Sequence, residues 1–235
     1  MLVTGASSGI GESICRALLE HNYRVVGAAR NIDKLNQLAN QLGQGFSPLI
    51  LDVTDSASVD SLVSRLPEAL RDIDVLINNA GHDIGGRQSF ELASAELWCD
   101  IIETNVQGVI RVTRALIDIM LARGHGHIVN MGSIAGLKAI ATMGAYVASK
   151  HAVHGLSETL RLDYAGKGIR VTEIMPGLVR TNFASQRLGD EQKADEFYDS
   201  SGACLAPEDI ARTVVFALQQ PAHVEIAQLV VLPVS

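Results

Sequence analysis

"VTGASSGIG", Val3 to Gly11, sets three glycines and two serines between a short apolar run and an amphipathic one. A strand that turns into a helix through such a stretch places Gly5, Gly9 and Gly11 at a βα corner. Glycine tolerates φ > 0 there and lets the backbone come close to a ligand. A helix beginning near Ile10 offers free N–H groups and the positive end of its dipole, which suits a pyrophosphate. Thr4, Ser7 and Ser8 add hydroxyl donors. The spacing is G-x-x-x-G-x-G, not G-x-G-x-x-G, and it lacks the lysine of a P-loop. A turn that serves only helix–strand packing is the competing reading.

Outward from this corner, short apolar runs alternate with helical patterns. Met1–Val3, Arg24–Ala29, Ser47–Asp52, Val75–Asn78, Gly126–Met131, Arg170–Met175 and Leu229–Leu232 read as strands. They are apolar without alternation, as in a parallel sheet covered on both faces. Ile10–His21, Asn31–Leu42, Asp55–Leu66, Ala145–Gly166 and Ala206–Gln219 read as helices, and Glu91–Arg123 as a long helix with a shorter lead-in. Asn31 and Asp55 are N-cap candidates, and Pro207 suits a first helical turn. The pattern predicts an α/β fold: one Rossmann-like, doubly wound parallel sheet of about seven strands with helices on both sides. Residues 1–235 are expected to form a single domain. Leu178–Gly202 is polar and weakly periodic, follows the sixth strand, and is expected to cover a substrate. The first strand is shorter than usual, so a few native residues are expected to precede Met1.

Net charge is −7 without a basic block, which argues against nucleic acid or an anionic membrane as partner. No apolar run reaches the length of a membrane span. No secretory leader is evident, and Cys15, Cys99 and Cys204 are few and far apart, so a reducing cytoplasm is expected. Cys99 and Cys204 read as small packing residues. The histidine pairs His125/His127 and His151/His154 lack ligand partners for a metal, and the latter two are expected on the outer faces of their helix.

The second strand ends in Ala29-Arg30 where an NAD site carries an acid for the ribose 2′-hydroxyl. Nothing there repels a 2′-phosphate, and the planar fork of Arg30 pairs with one, assisted by Asn31 or Lys34. NADP(H) is therefore favoured over NAD(H), against the plainer reading of Arg30 as a solvated charge. Further on, "YVASK" sets Tyr146 and Lys150 one helical turn apart on one face. An ammonium beside a phenol favours the phenolate and readies it for proton exchange. "NMGSIAG" puts Ser133 at the carboxyl edge of the fifth strand. "ETNVQG" puts Asn105 inside the long helix, where a polar side chain facing the sheet requires a reason.

Together "TGASSGIG" (4–11), "DV" (52–53), "NNAG" (78–81), Asn105, Ser133, "YVASK" (146–150) and "PGLVRT" (176–181) resemble the short-chain dehydrogenases/reductases along essentially the whole chain. The resemblance implies hydride transfer between NAD(P)(H) and a carbinol or carbonyl carbon. It implies Tyr146 as general acid/base and Ser133 as the group that polarises the carbonyl. Lys150 would lower the phenol's pKa and bind the nicotinamide ribose, and Asn105 would support a relay water. Asp52 and Val53 would meet the adenine, Asn79, Ala80 and Gly81 the adenosine ribose, and Pro176, Gly177, Val179 and Thr181 the nicotinamide end. The last third is similar to NADP-dependent 3-hydroxy acid (serine/allo-threonine) dehydrogenases, whose substrates are small and often anionic, and to reductases of short anionic aldehydes. Arg180 and Arg187 are candidate anion partners, His82 and Asp83 candidate pocket residues, and Tyr198 a candidate lid residue. "GHDIGGR" (81–87) and "VRTN" (179–182) depart from that subgroup. The alternatives are a 3-oxoacyl-thioester or other carbonyl reductase and a catalytically silent, NADP-sensing protein. The resemblance also implies a homotetramer or homodimer formed through the fourth and fifth helices.

Overall fold

Residues 1–234 are described by a computed structural model. The elements run β1 (Leu2–Thr4), α1 (Gly9–Glu20), β2 (Val25–Ala29), α2 (Ile32–Leu42), β3 (Phe46–Ile50), α3 (Ser56–Asp60), α4 (Leu62–Arg65) and β4 (Val75–Asn78). They continue with α5 (Ala95–Ile102), α6 (Gly108–Arg123), β5 (Gly126–Met131), α7 (Gly144–Asp163), β6 (Ile169–Pro176), α8 (Phe183–Leu188), α9 (Glu191–Ser200), α10 (Pro207–Leu218) and β7 (Gln228–Val231).

The seven strands form one sheet in the order β3-β2-β1-β4-β5-β6-β7, and every pairing is parallel. The order reverses between β1 and β4, so their carboxyl ends open a crevice where an open α/β sheet takes its ligand. Successive strand residues point to opposite faces. Val3, Ile77 and Val129 join a core with Ile14, Leu18 and Val214 from α1 and α10. Leu2, Leu76 and Ile128 join the opposite core with Leu62 and Leu116 from α4 and α6. Each such side chain contributes roughly 1.5–3 kcal/mol on leaving water. This two-sided burial explains why the strands lack polar alternation.

Three expectations need correction. The run expected as one helix over Asp55–Leu66 is two short pieces broken at Ser61, although Asp55 does cap the first by accepting from the Ala57 N–H at 2.9 Å. The long helix with a shorter lead-in expected over Glu91–Arg123 is a 3₁₀ turn at Phe90–Leu92, then α5 and α6 broken from each other by a π-helical turn, Glu103–Gln107. Its apolar period passes through the π turn, so the break leaves no mark in composition. Segment 178–202 is not irregular but carries α8 and α9. In addition, Cys99 is exposed and so is not a packing residue.

Candidate active site

The site opens at the carboxyl edge of the sheet as one cleft of about 610 Å³. Its middle is the glycine corner, where Gly5, Ser7, Ser8, Gly9 and Ile10 line the wall. Gly5 and Gly9 have φ of +65° and +56°, in the left-handed region. Ser8 stands at the N-cap of α1 in extended conformation and makes no side-chain bond to the first turn, whereas α2, α3, α5 and α9 are capped by Asn31, Asp55, Ser94 and Asp190. The first-turn amides of α1 therefore face the cleft without a side-chain acceptor, as an anion would require. Gly11 does not line the cleft. A Cβ on it would run into the Gly5 carbonyl and the Asn79 amide, so its place is helix–strand packing. Nor does Thr4 offer its hydroxyl to a ligand. Its Oγ1 is buried and accepts from Asn79 N and Ala80 N, both at 3.0 Å.

One arm of the cleft passes Asn79, Ala80, Gly81, Asp52 and Val53 to reach Arg30. Arg30 is exposed and makes no ion pair among the described residues. Asn31 spends its carboxamide oxygen on the α2 cap, accepting from Lys34 N at 2.9 Å.

The other arm passes Pro176, Gly177, Val179 and Thr181 and ends among Ser133, Tyr146 and Lys150. Ser133 sits extended at the carboxyl end of β5, its Oγ accepting from Ala135 N at 3.1 Å. Tyr146 and Lys150 lie one turn apart on α7. The buried Lys150 Nζ donates to Met131 O at 2.8 Å and lies 5.6 Å from the Tyr146 ring centroid. Burial pushes the phenol up to about 12, with the Ser133 hydroxyl pulling it back, and pushes Lys150 down to about 8 against the attraction of Glu173 and Asp83. In the protein alone, withdrawal from water outweighs the neighbouring ammonium, which is bonded to Met131 O.

Asn105 lies in the π turn, buried and outside the cleft wall. Its Oδ1 accepts from His82 N at 2.9 Å, and its Nδ2 donates to His82 O at 2.9 Å and to Ser149 Oγ at 3.1 Å. It ties the loop after β4 to α7, and this is the reason a polar residue faces inward there. π turns often mark functional positions.

Segment 178–202 lines one side of the cleft. Asn182 Nδ2 donates to Ser8 Oγ at 3.2 Å, and Phe183 lies edge-on to Tyr146 with centroids 6.0 Å apart. Tyr198 braces the segment from within, its hydroxyl donating to Thr181 O at 3.0 Å and accepting from Thr181 N at 3.2 Å. The two arginine candidates separate. Arg180 is half-exposed and pairs with Asp199 and Asp195. Arg187 lines the cleft and is almost buried, with Nε 2.9 Å from Asp83 Oδ2. Asp83 stands behind Arg187, outside the wall, and burial pushes it up to about 6 against the pull of that guanidinium. Arg87 also lines the cleft, stacked on the Phe197 ring at 4.7 Å. His82 lines the wall as expected, its Nε2 3.1 Å from Thr104 Oγ1.

Sequence reasoning missed Arg87, Phe183 and the Asp83–Arg187 pair. The pair shows only once two distant segments meet. His154 was misplaced: it is not on an outer face, and its Nδ1 lies 2.8 Å from Oε2 of Glu173, a carboxylate fully buried on β6. Among the described residues no group of three or more histidine, cysteine, aspartate or glutamate side chains is placed to hold a metal.

The profile for short chain dehydrogenase matches residues 1–192. The chain is 41% identical over 237 residues to the NADP-dependent 3-hydroxy acid dehydrogenase YdfG of Salmonella typhi, covering 100% of this chain and 95% of that protein. It is 38% identical over 236 residues to a probable NADP-dependent dehydrogenase of Haemophilus influenzae, covering 100% and 93%. Among solved structures, the closed form of serine dehydrogenase complexed with NADP+ superposes with a TM-score of 0.94 at 39% identity, covering 97% of this chain and 92% of that one.

Proposed function

The chain belongs to the short-chain dehydrogenases, and from that premise we propose that it is an NADP(H)-dependent oxidoreductase acting on a small 3-hydroxy acid or the matching short anionic aldehyde. The observation that carries this reading is a single cleft joining an uncapped glycine corner, a free Arg30 and the Ser133–Tyr146–Lys150 cluster. NADP(H) supplies the hydride, and the protein supplies alignment and the proton. Its phosphates would lie on the first turn of α1, its 2′-phosphate at Arg30, and its nicotinamide end along Pro176–Thr181. Ser133 donates to the substrate oxygen where negative charge develops, and Tyr146 gives or takes the proton there. Asn105 acts through the loop and helix that it joins. Segment 178–202 covers the substrate, and Arg187 receives its carboxylate.

The test follows NADPH consumption against short semialdehydes, and NADP+ reduction with serine and other 3-hydroxy acids. Absence of turnover with all of them, in folded protein that binds NADPH, would overturn the substrate class. Arg30→Ala is expected to weaken NADPH binding about 10–100-fold and to leave NADH binding unchanged, since one charge-assisted bond to phosphate is worth roughly 1.5–3 kcal/mol. Equal losses for both cofactors would remove Arg30 from 2′-phosphate recognition. Arg187→Gln is expected to raise KM for carboxylate substrates by a similar factor while sparing an uncharged aldehyde of the same length. An equal effect on both would assign Arg187 to closure of the segment alone.

No helix among the described residues is long and apolar enough to cross a membrane. A cytoplasmic setting and a homodimer or homotetramer belong to the same proposal. Exposed Ile110 on α6 and Leu162 on α7 support the association.

A further inference from the structure

Four titratable side chains recur at four-residue intervals along α7: Tyr146, Lys150, His154 and Glu158. Side chains so spaced share a face of the helix. The stripe begins in the cleft and ends at solvent, where Glu158 is exposed and lies 3.9 Å from His154 Nε2. Between Lys150 and His154 a fifth group enters from the sheet. Glu173 is fully buried, and its Oε2 takes His154 Nδ1 at 2.8 Å. Its Oε1 is buried with no hydrogen-bond partner among the described residues. That oxygen lies against Gly132, where any Cβ would collide with it. Gly132 separates Ser133 from Met131, whose carbonyl holds the Lys150 ammonium. A buried carboxylate with one oxygen unused is expensive unless it has a task.

We propose that Glu173 and His154 form a proton relay that connects Lys150 to solvent at the far end of the α7 stripe. This rests on the oxidoreductase reading above. In carbonyl reduction the Tyr146 O–H bond breaks and its proton goes to the substrate oxygen. A Lys150 N–H proton then passes to the phenolate, leaving a neutral amine. The Glu173 carboxylate accepts a proton from His154 Nδ1 and gives it to that amine, directly or through one water, and His154 is recharged from solvent at Nε2. No electrons move in these steps, since the reduction is complete with the hydride. Glu173 and His154 are positioning residues, because neither touches substrate. The charges facing Glu173 are Lys150, His154 and Arg161, all on α7, and Gln228 on β7 is the neutral neighbour. Lys150 has a second acidic neighbour in Asp83. Burial raises the Glu173 carboxyl, while His154 and Lys150 draw it back.

Glu173→Gln tests the relay in the full-length protein, because it keeps size and polarity and cannot pass a proton. The Lys150 and His154 titrations are read by heteronuclear NMR, and kcat and KM for NADPH-dependent reduction are read across neutral and alkaline pH. The expected result is a Lys150 titration lowered by about one unit. With it goes a kcat lowered about tenfold with KM unchanged, and a basic limb displaced toward lower pH. His154→Ala is expected to lose rate that added imidazole restores, a recovery a purely structural role would not give. An unchanged Lys150 titration, or wild-type kcat in Glu173→Gln throughout the range, would overturn the relay. A displaced Lys150 titration in a protein that turns over no carbonyl would support the coupling and overturn the activity instead.

Discussion

Tyr146→Phe is expected to lower kcat for carbonyl reduction by about 10²–10⁴-fold, the usual contribution of a positioned general acid. NADPH binding and thermal stability should stay close to wild type. The phenol lines the cleft end beside Ser133, and the ring keeps its edge contact with Phe183 when the oxygen is lost. Its hydroxyl holds its proton at neutral pH, since burial has pushed it to about 12. Lys150, pushed to about 8, is still mostly charged at neutral pH and stands ready to recharge it. The same values give the two directions opposite pH trends. Reduction uses the protonated phenol and should decline as pH rises through about 8, where Lys150 loses its proton. Oxidation needs the phenolate and should rise with pH over that range. Stopped-flow measurement of both directions, with NADPH affinity measured separately by fluorescence, checks this. Turnover in Tyr146→Phe within threefold of wild type would remove the phenol from the chemistry; such a factor is worth only about 0.6 kcal/mol.

Much of the frame is written locally. Val75–Asn78 and Gly126–Met131 are strands at the boundaries that their apolar runs suggest, because both are covered on two sides and their polar residues Asn78, His127 and Asn130 are buried with the rest. Pro207 opens α10 and Asn31 caps α2 by chemistry that acts within one turn. The cleft end was legible for the same reason, since Tyr146 and Lys150 are neighbours on one helix. What escaped depends on chain segments meeting. α9 buries only Ala194 and Tyr198, a stripe too narrow to stand out in "EQKADEFYDS". Asp83 and Arg187 come from segments far apart in the chain, and Glu173 reaches His154 across the gap between sheet and helix. Spacing reports the ammonium near the phenol but not the water excluded around both. Gly11 was legible as glycine, but only the approach of the Gly5 carbonyl tells packing from ligand contact.

His127→Gln is expected to flatten the acid limb of the stability profile. His127 on β5 is buried, and its Nε2 lies 2.8 Å from Thr172 Oγ1. That hydroxyl spends its own hydrogen on Ile226 O at 2.6 Å, so it accepts from the imidazole, and Nε2 carries the proton. Nδ1 is then a bare, buried nitrogen with no partner. Protonating it would place a charge between two covered layers, so burial, aided by Arg170, pushes the imidazole down to about 3 from an ordinary 6.5. The folded value lies below the unfolded one. The unfolded chain therefore binds more protons throughout that interval, and stability must fall as pH drops from 6.5 toward 3. At about 1.4 kcal/mol per unit, the loss is on the order of 5 kcal/mol, comparable with the whole stability of a modest domain. Asp83 and Glu173 act in the opposite sense. Their carboxyls are raised on folding, so each favours the folded state at low pH and loses that contribution as pH rises through its folded value. They cannot produce an acid limb, and His127 can. Glutamine keeps an N–H donor within reach of Thr172 and has no proton to gain. Urea unfolding followed by circular dichroism at intervals from pH 7 to about 4 should show a steep decline in wild type and a shallow one in His127→Gln. Equal slopes would mean that folded and unfolded chains take up a proton at His127 alike, and would remove the imidazole from the acid limb.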